Sequence, residues 1–142
     1  MITEKLDGEN TTMYHDYIHA RSMDSLHHHS RDYVKSIHSQ ISHSIPLGWR
    51  VCGENLFAKH SIYYDNLISY FMVFSIWDEY NRCLSWKDTV EWCALLGLHH
   101  VPVLYEGKWC TDKVKEFNNI VSNNVEGYVV RNSNSFPYTH FK

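Results

Sequence analysis

The chain has 142 residues, 44% of them apolar and 15% aromatic, enough for one domain with a core and too few for two. With 20% charged residues, six glycines and three prolines, the composition excludes a disordered or fibrous chain, and no apolar run approaches the ~18 residues of a membrane helix. The formal charge of −3 carries no signature of polyanion binding, although eleven histidines, eight of them before residue 61, favour it locally when protonated. Cys52, Cys83, Cys93 and Cys110 form no CxxC pair, and no secretory apolar stretch is visible near Met1. A soluble protein of a reducing cytoplasm is the expectation.

Strand-like alternation at 2–5 and 11–14 flanks Asp7-Gly8, a turn dipeptide, so these segments are expected to pair as a hairpin. Residues 18–22 can add a third strand. From Ser30, a candidate N-cap, Tyr33, Val34, Ile37 and Ile41 recur at helical spacing until Pro46 ends the pattern. Residues 49–57 and 70–78 have the aromatic and β-branched content of strands, and a polar turn at 79–81 leads into 82–85. Ser85 to Asp88 resembles a capping box, with Val90, Cys93, Ala94 and Leu96 following and Gly97 at the C-cap position. Residues 101–105 read as a short strand. Thr111 can cap a third helix presenting Val114, Phe117, Ile120 and Val121, and 126–132 reads as the last strand. Strands arriving in adjacent pairs with helices between them predict an α+β fold with mixed, mostly antiparallel sheets.

The segment Glu4-Lys5-Leu6-Asp7-Gly8-Glu9-Asn10 places a lysine at a strand end, with a carboxylate two residues on and a glycine in the turn. Such a lysine serves as a nucleophile when burial or nearby cations favour the neutral amine, and a glycine lets the backbone approach a nucleotide closely. The bland alternative is a surface turn with Lys5 in water.

Taken with later segments in fixed order, this one resembles the nucleotidyltransferase motifs of ATP-dependent RNA ligases, closest to the type-2 branch of phage and RNA-editing ligases. The segments are Lys5 to Asn10, Arg21 in HARS, Cys52-Gly53-Glu54, Phe74 in FMVFSIWD and Glu126-Gly127 in EGYVVR. The resemblance spans nearly the whole chain and includes 89–109, where such ligases carry a helix, a P-x-L strand and a GK-aromatic turn. It implies one adenylation domain over 1–142 that joins 5′-phosphate and 3′-hydroxyl RNA ends through a lysyl-AMP intermediate, using ATP and Mg²⁺ or Mn²⁺. Lys5 matches the residue that attacks the α-phosphorus of ATP. Glu4 matches a residue near the adenine edge, Asn10 one that places the RNA end, and Arg21 a planar donor fork for phosphate or the terminal nucleotide. Glu54 matches the acceptor for the ribose hydroxyls, Phe74 the aromatic that stacks on adenine, and Glu126 the carboxylate that holds the metal.

Each role has a competitor in ordinary structure. Glu54 and Glu126 can be solvated strand-end carboxylates, Phe74 a core residue of an aromatic run, Arg21 a surface arginine, and Asp7 a residue that only orders the turn. His15 and His19, four apart, together with the His27 to His29 run, invite a zinc reading. That spacing needs a helix, whereas DYIHARS reads as a strand, and a histidine-bearing loop beside a nucleic-acid channel is preferred. Other readings of the whole chain are a DNA ligase or capping-type nucleotidyltransferase, and a non-catalytic nucleic-acid-binding or His-rich metal-binding module.

The family's last motif, two lysines that bind the ATP phosphates, is not visible, nor is the segment before the nucleophile strand that packs against adenine. The expectation is a fragment that lacks N- and C-terminal segments of its parent and self-adenylates weakly or not at all.

Overall fold

Two sheets organise the chain, and the stretch around Gly8 carries it from one to the other. A computed structural model describes residues 1–6, 8–20, 29–56, 70–105 and 127–137. Of the sequence expectations, Asp7, Arg21, His27, His28, the GK-aromatic turn, the third helix from Thr111 and Glu126 lie outside these.

The smaller sheet has three strands in the order β8 (Val103–Tyr105), β1 (Ile2–Lys5), β9 (Gly127–Val130), all antiparallel. The larger has the order β10 (Phe136–Pro137), β6 (Arg82–Cys83), β5 (Phe71–Trp77), β4 (Arg50–Asn55), β2 (Glu9–Tyr14), β3 (Ile18–Ala20), and β7 (His99–His100) pairs parallel to β5. Helix α1 (His29–Ile41) continues into a single 3₁₀ turn at Ser42–Ser44, and α2 spans Trp86–Leu96. The α+β expectation therefore holds, with two helices among the described residues.

The expected hairpin across Asp7-Gly8 does not form: β1 pairs with β8 and β9, whereas β2 pairs with β3 and β4. A Cβ on Gly8 would stand 2.6 Å from the Asn55 carbonyl oxygen, so the glycine serves close passage along the end of β4. Turn chemistry specifies that the chain changes direction and leaves open which strand it meets next.

Helix α2 follows its sequence signals. The Ser85 hydroxyl accepts from the Asp88 amide at 3.2 Å, and Gly97 closes the helix in the left-handed region at φ 71°. One core lies under the helices, where Met13, Val51, Phe71, Val73 and Ile76 meet Val34 of α1 and Cys93 and Leu96 of α2. A second cluster joins Met1 and Leu6 to Leu56, Met72, Trp86 and Val101, which ties the smaller sheet to the larger one. In the described residues no helix is long and apolar enough to cross a membrane.

Candidate functional site

Strand β4 alternates regularly, with Val51, Gly53 and Asn55 buried and Arg50, Cys52 and Glu54 half-buried on the other face. That second face looks away from the helix-covered core. Its neighbours in register are Asn10, Thr12 and Tyr14 on β2. On β5, Ser75 stands opposite Cys52 and Val73 opposite Gly53, so Phe74 is the extra residue of a β-bulge. A bulge breaks the ladder locally and re-aims the side chain it carries.

A cavity of about 580 Å³ opens beside this bulge, lined by Glu4, Lys5, Glu54, Phe74, Arg131 and Phe136 among others. Four of the seven residues singled out from sequence, namely Glu4, Lys5, Glu54 and Phe74, therefore reach one concave surface from two different sheets. The size lies within the range of about 300–1,000 Å³ usual for small-ligand sites. Asn10 is opposite Glu54 on the adjacent strand, next to the lining residues. Arg21 and Glu126 fall outside the described residues, although the backbone of Gly127 pairs with Lys5.

Both readings of Phe74 find a counterpart, since it borders the cavity and also packs against the second core cluster. Glu54 is half-buried in the cavity wall. Burial pushes the Glu4 carboxyl above its usual range, because the wall withdraws it from water. The described cysteines are kept as thiols. Burial raises Cys52 and Cys83, and takes Cys93 up to about 12, which leaves them inert as nucleophiles at neutral pH.

Sequence reasoning missed Arg131. It follows β9 and reaches across the cavity, donating from Nη1 to the Phe74 carbonyl at 3.0 Å and from Nη2 to the Leu84 carbonyl at 3.3 Å. Its guanidinium lies 5.4 Å from the Trp86 ring centroid and 5.5 Å from that of Phe136. The carbonyl of the bulged residue thus receives a charged donor from the other sheet. The available signal was an arginine directly after the apolar end of EGYVV, which reads equally well as a strand terminus.

The histidine pair does not share a helix. His15 lies in the turn after β2, where its Nδ1 donates to the Ile45 carbonyl at 2.7 Å, and His19 is on β3. Within the described residues, no three His, Cys, Asp or Glu side chains surround a common point suited to a metal ion.

Comparison with curated proteins gives no match. A family model described as RNA ligase matches residues 1–142, the whole length. The sequence motifs and the cavity agree with that match, and the chain belongs to the RNA ligase family.

Proposed function

We propose that this chain carries the adenylation chemistry of an ATP-dependent RNA ligase on a nucleotidyltransferase-type domain, and that the cavity between the sheets receives ATP. The observation that supports this most is the convergence of Lys5, Glu54 and Phe74, separated by up to 69 positions in sequence, on one cavity of nucleotide size. Phe74 offers a ring face to adenine without demanding hydrogen bonds. Glu54 accepts from the ribose hydroxyls, as an ionised acceptor-only group does, and Glu4 lies at the adenine edge. The Lys5 amine attacks the α-phosphorus in line. A P–N bond forms, the bond to the bridging oxygen breaks, pyrophosphate leaves with that electron pair, and the proton lost by the amine passes to water. AMP then passes to an RNA 5′-phosphate, and attack by the neighbouring 3′-hydroxyl releases it. Asn10 and Arg21 are assigned to the RNA ends.

A divalent metal neutralises phosphate charge in this chemistry. Mg²⁺ typically keeps several waters and takes one or two carboxylates with the substrate phosphates, so it needs no three-ligand protein cage, and Glu126 is the residue assigned to it.

The test is incubation with α-labelled ATP and Mg²⁺ followed by denaturing electrophoresis, on this chain and on a longer polypeptide that contains it. Covalent label that Lys5→Ala abolishes is the expected result. No label on either, or label retained by Lys5→Ala, rejects the reading, and label from GTP in place of ATP points to capping chemistry.

A further inference from the structure

The face of the larger sheet that carries Glu54 continues past the cavity. Glu54, Cys52 and Arg50 follow one another on that face of β4, and Tyr14 stands opposite Arg50 on β2. Beyond β2 the edge strand β3 brings His19, opposite Thr12. At this end the Tyr14 and Tyr17 rings stack with centroids 4.2 Å apart and planes within 9°. The His19 ring tilts against both, at 5.6 and 6.2 Å.

These aromatics are not core. Tyr17 is 51% exposed and His19 is exposed. Tyr14 is half-buried and backs the exposed Tyr17 ring, so the pair at this sheet edge forms a preordered surface for a third planar ring. Arg50 supplies the charge. Its Nη2 donates to the neutral Asn81 Oδ1 at 2.6 Å, and its guanidinium lies 4.7 Å from the Trp77 ring centroid. Among the described residues these partners, and the Cys52 thiol beside them, are uncharged, so Arg50 brings a positive charge to this end of the sheet. A planar ring with an attached anion is the chemistry of a nucleotide.

We propose that Tyr14, Tyr17 and His19, with Arg50, form a stacking platform for an unpaired base of the RNA strand whose end lies at the nucleotide cavity, an inference that rests on the ligase reading above. Spacing supports a single strand bridging the two sites. At roughly 3.3 Å per residue the step from Glu54 to Arg50 covers about 13 Å, the length of about four stacked nucleotides at ~3.4 Å each.

The experiment is fluorescence anisotropy of a labelled single-stranded RNA on this chain, without ATP. Tyr17→Ala is expected to weaken binding about tenfold, as loss of one base–aromatic stack does, and Tyr17→Phe to restore it, since the ring and not the hydroxyl is used. An abasic residue about four nucleotides from the strand end should erase the difference between wild type and Tyr17→Ala, and a blunt RNA duplex should show no difference between them. Should Tyr17→Ala fail to fold by circular dichroism, His19→Ala is the second variant, with a loss of about threefold expected. Absence of RNA binding, unchanged affinity in the alanine variant, an equal loss in Tyr17→Phe, or an equal loss on the duplex overturns the platform. Labelling at Lys5 is read separately. Label without dependence on Tyr17 sinks the platform alone, and dependence on Tyr17 without label sinks the adenylation reading alone.

Discussion

The two sheets are built to different standards. In the larger one Met13, Phe71, Val73 and Cys83 are fully buried, whereas in the smaller one Ile2 on the central strand is buried but Leu104, Val129 and Val130 on the flanking strands remain 37–42% exposed. Glu54 and Phe74, assigned to recognition, belong to the well-packed sheet, and Lys5, assigned to reaction, belongs to the lighter one. Local opening is cheapest where few apolar contacts hold a unit together. The lysine strand is therefore the part of the site whose position depends on ties to the larger sheet, among them the second core cluster, the close passage of Gly8, Arg131 and the Trp86 amide donating to the Ser133 carbonyl.

Removing a tie tests that contrast most directly. Arg131→Ala takes the donor from the Phe74 and Leu84 carbonyls, and half-buried acceptors that lose a charged partner cost about 3 kcal/mol in all. Urea unfolding should show that loss, and ATP binding should fall at least about tenfold with it. Arg131→Lys should recover less than half, because a single ammonium cannot span two carbonyls as a planar fork does. Stability within about 0.5 kcal/mol of wild type would mean that the strap does not hold the sheets.

Gly8→Ala attacks the crossing point. The new Cβ would meet the Asn55 carbonyl oxygen at 2.6 Å and the Leu56 side chain at 2.9 Å. Backbone yields poorly, so about 2 kcal/mol is expected. Hydrogen exchange locates the damage: β1 and β9 should lose protection while β4 and β5 keep theirs, and uniform loss across both sheets would contradict the division.

The same contrast explains what the amino-acid sequence revealed. Helix α2 was legible end to end because its signals are local, with Ser85 capping within one turn and Gly97 free to take a positive φ. Strands β1, β2, β4 and β5 were legible from composition and alternation. The partnership of β1 was not, since Asp7-Gly8 encodes a turn and says nothing of which sheet each flanking strand joins. The two-residue strands β7 and β10 carry no periodicity to read. Of the residues lining the cavity, Glu4, Lys5, Glu54 and Phe74 were singled out through motif order. Arg131 was missed because its role is tertiary: the carbonyl it satisfies is freed by a bulge 57 positions away.

Phe74 separates packing from recognition. Phe74→Leu keeps apolar bulk against the second cluster and should cost under about 1.5 kcal/mol of stability. It removes the flat face, so ATP affinity should fall about tenfold, the worth of one base–aromatic stack. Isothermal titration with ATP beside urea unfolding reads both quantities. Unchanged affinity in the leucine variant would assign Phe74 to the core alone.

The smallest effect lies at the edge where the sheets face each other. Burial raises the Glu4 carboxyl above its ordinary value, so between that ordinary value and the raised one the folded chain holds more protons than the unfolded one. Stability therefore falls as pH rises through this window and stays lowered above it. Glu4→Gln removes the ionisation and with it the slope. Relative to wild type, the glutamine variant should gain stability on going from a pH below the ordinary carboxylate range to neutral pH, by a few tenths of a kcal/mol once solvent screening at this partly exposed site is counted. Urea midpoints at the two pH values measure it. Equal midpoint differences would place the Glu4 carboxyl in water in both states, and the lysine sheet would then meet the cavity through a wet edge, held to the larger sheet by ties that include Arg131, the Gly8 passage and the second cluster.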